Sequence, residues 1–408
     1  MKFRWETGFK ETEIGEIPRD WEVKNVKNVA KINEESVNKN YPHKIIEYID
    51  INSVEEGAIL EKKLIPLDAA PSRAKRIVKD KDVLLSTVRP NLRHYAFIKK
   101  ANPNTIASTG FAVLRSKKIE PRFLYFSLTT DYVTEFLTQI AEENASTYPA
   151  FTIETLENLQ IPYPPPEEQT RIATVLSWFD DLIENKRRQN EILEKTAMAI
   201  FKSWFIDFEP FQDEELVYSE ELDMEIPKGW NVKSLSQFVS SIQSGQGKHY
   251  MIREQESNCG KGYPLWGANG ILGYVSDYDL DGWIVLTGRV GTLGKVFISN
   301  GKIAISDNVL ALVPRTFEVT FFIYLWLKTS VDFESLNVGS TQPLIRKGDV
   351  EKLLMLDPPQ PILQRFHSLV EPIFRKTILN QKQILTLKKI RDTLLPQLVF
   401  GRLRVESI

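Results

Sequence analysis

The sequence predicts an α+β protein: two mixed α/β globular parts separated by two long helices, within an internal repeat. Three observations predict it. From Pro164 to Phe208 three prolines open a run that holds no further Gly or Pro, with an apolar stripe at three-to-four spacing. A second proline-led run with the same stripe extends from Asp357 to Phe400. A nine-residue lead-in, Glu16-Ile17-Pro18-Arg19-Asp20-Trp21-Glu22-Val23-Lys24, returns 209 residues later as Glu225-Ile226-Pro227-Lys228-Gly229-Trp230-Asn231-Val232-Lys233.

The chain of 408 residues is long enough for several cores. It divides into a globular part at 1–163, a helix at 164–208, an acidic linker at 209–225, a second globular part at 226–356, and a helix with C-terminal tail at 357–408. In the first globular part, residues 45–51, 82–86, 95–98 and 111–114 read as strands and 121–139 as one helix. In the second, residues 283–286, 295–298, 303–305 and 309–313 read as strands and 321–328 as a helix. Gly is dense between Gly245 and Gly301, which suits tight turns in a β-rich unit. Further traces of repetition link the two parts. At a spacing of 200, Thr87, Arg89, Phe97 and Ile98 fall on Thr287, Arg289, Phe297 and Ile298, and Ser146-Thr147-Tyr148-Pro149 parallels Ser340-Thr341-Gln342-Pro343.

Pro166, Glu167 and Glu168 suit a first helical turn, where the missing N–H costs nothing and acids face the positive end. A helix of that length extends roughly 55–60 Å at about 1.5 Å per residue. Ile172, Leu176, Phe179, Ile183, Leu193 and Ile200 form the packing stripe of the first helix. Phe366, Val370, Phe374, Ile378, Leu385 and Leu395 form that of the second, on an alignment of Gln169 with Gln364. Each stripe is buried most simply against the other. Both are interrupted by polar residues, at 186–190 and 381–383. Between the helices, residues 207–225 hold nine acids and no Lys or Arg, without an apolar period, which reads as a solvated connection.

Net charge is −2, so only local charge argues for a polyanionic partner. From Lys62 to Lys118 there are fourteen Lys and Arg against three Asp, including Arg73-Ala74-Lys75-Arg76 and Arg89-Pro90-Asn91-Leu92-Arg93-His94. Such a cluster can release counterions from phosphates, and Arg, Asn and His can read base edges; a solvated loop face is the alternative. The second part is polar and Gly-rich instead, with Gln243-Ser244-Gly245-Gln246-Gly247-Lys248-His249, Trp266-Gly267-Ala268-Asn269-Gly270 and Thr287-Gly288-Arg289-Val290-Gly291-Thr292. These loops let backbone approach a ligand closely, and hairpin turns explain them equally well.

No catalytic constellation emerges. Asp357-Pro358-Pro359-Gln360 resembles the Asp-Pro-Pro-aromatic motif of adenine methyltransferases, but Gln360 replaces the aromatic and a proline-led helix start explains it better. Gly245–His249 has the wrong spacing for a phosphate loop, and Asp181, Glu184 and Lys186 lie on the long helix rather than on a nuclease strand. Four histidines and the lone Cys259 offer no metal spacing and no disulfide, which fits a reducing, cytoplasmic setting. No apolar run is long enough for a membrane span, and the N-terminus is no signal peptide.

In this order, twice over, these features resemble the specificity subunits of type I restriction–modification enzymes along essentially the whole chain. The residues that carry the resemblance are Ile17–Val23 and Ile226–Val232, and Pro166-Glu167-Glu168-Gln169 with Arg171-Ile172. Tyr263-Pro264-Leu265-Trp266-Gly267-Ala268-Asn269-Gly270-Ile271 and Ser340-Thr341-Gln342-Pro343 are also similar to family segments. The second helix departs from the pattern, with Gln360-Pro361-Ile362-Leu363-Gln364 where the first has Glu-Glu-Gln.

The resemblance implies that each globular part is a target recognition domain reading one half of a split site in double-stranded DNA. The two helices would pack as an antiparallel coiled coil with pseudo-two-fold symmetry, set the spacing and dock two methyltransferase subunits, and restriction subunits would join the complex. S-adenosylmethionine, ATP and Mg would be bound by those partners, with no cofactor, metal or catalytic residue on this chain. The expected DNA contacts are Arg73, Lys75, Arg76, Arg89, Asn91, Arg93 and His94 in the first domain. In the second they are Gln246, Lys248, His249, Asn269, Arg289, Thr292 and Gln342. Two other classes stay open at this stage: a self-sufficient DNA methyltransferase or nuclease, and a coiled-coil scaffold that binds protein.

Overall fold

The computed structural model describes residues 1–144, 149–247, 249 and 262–408. Lys248, Cys259 and residues 146–148 therefore lie outside the described residues. Two compact units emerge, Met1–Asn185 with Leu385–Ile408, and Lys186–Ile384. The chain leaves one unit and returns to it inside two continuous helices, Pro166–Phe205 and Gln360–Val399, each 40 residues long.

In the first unit the lead-in motif explains how the helix is anchored. Trp21 is fully buried, and its indole N–H donates to Glu168 Oε2 at 3.0 Å, in the helix's first turn. The strand after it, Glu22–Asn25, pairs antiparallel with Gln160–Tyr163, which runs directly into the helix. Gln169, also buried, accepts from the Glu120 N–H and donates to the Pro164 carbonyl, both at 2.8 Å. The C-terminal strand Leu403–Ser407 lies antiparallel to Lys2–Trp5.

Between these flanks stand two four-stranded sheets. One is antiparallel, in the order Tyr95–Phe97, Val83–Ser86, Phe111–Ser116, Ala30–Ile32. The other runs Ala74–Ile77, Thr105–Ser108, Ile45–Ile49, Lys63–Pro66, with its central pair parallel. Helix Pro121–Leu128 is buried almost throughout against the first sheet and the long helix.

The second unit repeats this plan. Its four-stranded sheet, Val296–Asn300, Trp283–Gly288, Val309–Pro314, Val239–Ser244, has the same order of chain elements. Its smaller sheet again has a parallel pair, Tyr263–Gly267 with Ala304–Ile305, flanked by Gly270–Val275. Strand Asn231–Ser234 pairs with Leu354–Asp357 ahead of the second long helix, as its counterpart does ahead of the first. The core here is aromatic: Phe201 and Phe205 of the first long helix pack against Phe366 of the second and Phe322 of helix Thr320–Thr329.

Within each unit the two long-helix segments run antiparallel. Asp180 pairs with Arg391 at 2.8 Å in the first, and Phe205 meets Phe366 at 4.8 Å in the second. The polar interruption of the stripe is a buried polar contact. Asn380 is fully buried, accepts from Lys186 Nζ at 3.4 Å and donates to Asn190 Oδ1 at 2.9 Å. A buried amide with matched partners fixes the register of two helices more sharply than apolar contact does.

Several expectations need correction. Leu385 is 52% exposed and is not a packing residue. The inward row is instead Asn380, Arg391, Leu395 and Leu398, and Leu385 lies one residue, about 100°, round from the half-buried Ile384. The single helix expected over 121–139 is two, Pro121–Leu128 and Asp131–Asn144. Thr129 ends the first, and the Thr130 hydroxyl caps the second by accepting from the Val133 N–H at 3.3 Å. The break rotates the second helix so that Val133 and Leu137 face inward, not Tyr132 and Phe136.

The stretch 209–225 is folded rather than a plain solvated connection. Phe211 and the neighbouring Phe208 are buried against Trp230, and Leu216–Ser219 forms a hairpin with Met224–Pro227. Two alignments within the repeat also shift. The strands ahead of the helices pair Tyr163 with Glu22 and Asp357 with Asn231, so the helices correspond at a spacing of 194. Buried Gln169 then matches buried Leu363, whereas Gln364 is exposed. The second of these alignments concerns the arginine loops, below.

Candidate nucleic-acid interface

In the first unit, loops from four strands are tied together by their backbones. The Arg73 carbonyl accepts from the Thr109 N–H, the Thr87 N–H donates to the Gly110 carbonyl, and the Arg89 N–H donates to the Pro149 carbonyl, at 2.8, 2.9 and 2.8 Å. These bonds bring Arg73, Arg89 and the exposed Asn91 to one end of the unit. Arg89 and Arg93 bracket the turn Pro90–Leu92 with φ of 47° and 55°, a left-handed geometry that costs a non-glycine residue energy. The rest of the unit holds both arginines in this geometry.

The seven candidates of this unit differ in what they touch. Arg73 is paired with Asp50 at 2.8 Å but keeps half its side chain exposed. Lys75 is exposed on the edge strand and makes no ion pair among the described residues. Arg76 is half-buried beside Ser36, and burial pulls its guanidinium below the usual arginine range. Arg93 is paired with Asp131 at 2.7 Å, and the His94 ring is turned onto the Val54 carbonyl. Arg89 and Asn91 reach solvent.

Folding also neutralises much of the basic excess read between residues 62 and 118. Lys62 pairs with Glu47, Lys79 with Glu35, Lys99 with Asp181 and Glu184, and Arg115 with Asp82, Glu34 and Glu35. Most of these acids lie outside the window that was counted. A charge count along the chain overstates the field when the partners are distant in sequence.

The second unit builds a matching cluster. The Gly291 N–H donates to the Pro343 carbonyl at 2.9 Å, Arg289 N–H to Asn308 at 2.9 Å, and Ser306 N–H to Trp266 at 2.9 Å. Asn269 is exposed in the turn between Gly267 and Gly270, and Gln342 is exposed beside Gly291. Gly288 must be glycine: a Cβ there would lie 2.2 Å from the Thr292 carbonyl oxygen and 3.1 Å from that of Ala268. Three buried polar atoms here, Trp266 Nε1, Thr287 Oγ1 and Arg289 Nε, have no partner among the described residues.

Gln246 is exposed and Thr292 half-buried. His249 is not at this surface in the expected sense: its side chain is 8% exposed, and Nε2 lies 2.6 Å from Asp279, which also accepts from the Ile305 N–H. The ring anchors a loop to the smaller sheet.

The two clusters fix the register of the repeat. Arg89 N–H to Pro149 in the first unit matches Gly291 N–H to Pro343 in the second, and Phe151 N–H to Thr87 matches Ile345 N–H to Arg289. The spacing is thus 202, and Arg289 is the counterpart of Thr87 rather than of Arg89. Each cluster offers an arginine, from different positions of the same framework. Sequence reasoning missed Asp50, Glu56 and Asp131, the acids that orient the basic loops; the Glu55-Glu56-Gly57 turn was the available signal.

Two copies of one framework, each displaying a polar loop cluster with an arginine and an asparagine, define a two-domain DNA-recognition protein. The family model for the type I restriction modification DNA specificity domain matches residues 18–195 and again 227–389. The chain belongs to this family. It is 39% identical, over its full length and 99% of the relative's, to the type I restriction enzyme MjaIX specificity subunit of Methanocaldococcus jannaschii. It is 24% identical, over 87% of its length and 95% of the relative's, to the HindI specificity subunit of Haemophilus influenzae. Among solved structures, the type I restriction–modification S subunit from M. genitalium matches the fold with a TM-score of 0.52 at 18% identity, over 93% of this chain and 96% of that one. No helix among the described residues is long and apolar enough to cross a membrane.

Proposed function

We propose that this chain is the DNA-recognition subunit of a type I restriction–modification complex, in which each globular part reads one half of a bipartite site. The observation that carries the reading is the repeated framework: the same sheet order, the same lead-in to a long helix and the same loop-tying bonds occur twice. They occur in a chain that matches the specificity family at both copies. Shared flanks suit a partner that docks twice, and divergent loops suit two different half-sites. Residues 1–163 and 226–356 are the two target recognition domains, and the helices Pro166–Phe205 and Gln360–Val399 set the spacing and receive two methyltransferase subunits. Half-sites one turn of B-DNA apart are separated by about 34 Å, within the roughly 60 Å length of such a helix.

The chain itself performs no catalysis. Methyltransferase subunits bring S-adenosylmethionine and restriction subunits bring ATP and Mg, and the complex works in the cytoplasm on chromosomal DNA. In the first domain Arg73, Lys75, Arg89 and Asn91 face the duplex, with Arg76 along the same edge. In the second, Gln246, Asn269, Arg289, Thr292 and Gln342 do so. Arg93, His94 and His249 shape the loops that carry them.

The experiment is half-specific. Arg89→Ala should weaken binding of the assembled complex by about 1–3 kcal/mol, and only as long as the first half-site is intact. Arg289→Ala should do the same for the second half. If each variant binds intact and half-altered duplexes as the parent does, these arginines are not readers.

A further inference from the structure

A two-residue turn, Glu56-Gly57, joins strands Val54–Glu55 and Ala58–Ile59 in the first unit. Both turn residues have positive φ, 40° and 87°. This is the twist of a tight hairpin, in which Asn, Asp or Gly normally comes first. Gly57 is explained by space, because a Cβ would lie 2.6 Å from the Tyr125 hydroxyl oxygen. Glu56 is not explained by local preference.

Its side chain supplies the reason. The Glu56 carboxylate accepts from Lys388 Nζ at 2.7 Å, on the second long helix. Burial opposes the ionised carboxylate, yet Lys388, Arg93 and Arg391 together hold it below the usual carboxylate range. The receiving helix face is itself fixed, since Arg391 pairs with Asp180 of the first long helix at 2.8 Å. The backbone of the same turn grips the other side. The Glu56 N–H donates to the Arg93 carbonyl at 3.0 Å and the Gly57 N–H to the Tyr95 carbonyl at 2.9 Å. These carbonyls belong to the exit of the Arg89–His94 loop.

We propose that Glu56 and Lys388 are positioning residues for the first half-site: their ion pair clamps the Arg89–His94 loop to the second long helix, so that Arg89 and Asn91 meet the duplex in one register. The proposal rests on the function argued above. Neither residue touches DNA; both act through the loop.

The test uses the full chain assembled with its methyltransferase subunits. Duplexes carry the mapped site, or the site altered in the half that exchange of residues 1–163 redirects, or altered in the other half. Glu56→Gln and Lys388→Met should each reduce discrimination at the first half by about ten-fold, the scale of coupling between contacting residues. Discrimination at the second half should not change, and the double variant Glu56→Gln with Lys388→Met should lose little more than either single one, because the two act as one pair. Unchanged discrimination at the first half, or equal loss at both halves, overturns the proposal. Lys388→Met lies on a helix surface and serves as the second variant where Glu56→Gln melts early. A parent complex that distinguishes neither half overturns the recognition function itself, an outcome visible before any variant is made.

Discussion

Phe205→Ala is expected to destabilise the second unit by about 3–5 kcal/mol, the cost of removing a buried aromatic side chain and leaving its cavity. Phe205 is fully buried, with ring centres at 4.8 Å from Phe366, 4.9 Å from Phe322 and 6.2 Å from Trp230. Two edge-on contacts and one tilted one add to the area that the ring hides from water. The ring joins the end of one long helix, the start of the other, the lead-in tryptophan and the domain helix in a single cluster. A urea melt followed by tryptophan fluorescence reads the effect, through Trp230 and the nearby Trp326. Binding to the second half-site should fall with it while the first is kept. A loss below about 1 kcal/mol would mean the cluster collapses readily around the gap.

Arg404→Ala is expected to cost the first unit about 3 kcal/mol or more, because it strands buried carboxylates. The Arg404 guanidinium pairs with Glu6 at 2.6 Å, Asp20 at 2.9 Å and Glu168 at 2.7 Å, and lies 5.4 Å from the Trp21 ring centre. Glu168 and Glu6 are nearly buried, so water replaces little of what is lost. One side chain thus ties the N-terminal segment, the lead-in motif, the first turn of the long helix and the C-terminal strand.

The effect should depend on pH in a definite direction. Arg404 is the main cause holding the Asp20 carboxyl below its ordinary value of 3.8. A depressed folded value means that the stabilisation is complete above the unfolded value and fades as pH falls through the folded one. The difference in melting temperature between parent and Arg404→Ala should therefore narrow below about pH 4. A constant difference down to pH 2 would show that packing, not charge, is what Arg404 supplies.

The large outline was legible because it rests on periodicity and repetition, which survive without contacts. The long helices, their proline-led starts and the duplicated lead-in follow from apolar spacing, proline chemistry and a recurring tryptophan. Nine of the shorter elements also lie within a residue or two of where their composition puts them, as with Val83–Ser86 and Thr320–Thr329. Register was not legible. Chance identities such as Arg89 with Arg289, or Gln169 with Gln364, suggest spacings of 200 and 195, whereas backbone hydrogen bonds give 202 and 194.

The candidate site was legible as loops and residue types only. Which arginine is paired depends on acids such as Asp50 and Asp131, brought in from distant segments. Sequence also gave no warning that Phe208 and Phe211 would draw an acidic stretch into the core. Two phenylalanines outweigh flanking charges that keep their own exposure to water.

The measurement that tests the central claim most directly is genome-wide mapping of methylated adenines after co-expression with the methyltransferase subunit encoded beside this chain. A split motif, two short halves around a fixed unspecified spacer, is the predicted result. Replacing residues 1–163 with the corresponding domain of a relative should then change one half and leave the other half and the spacer as they were. A continuous motif, or an exchange that alters both halves together, would contradict the assignment of one half-site to each globular part.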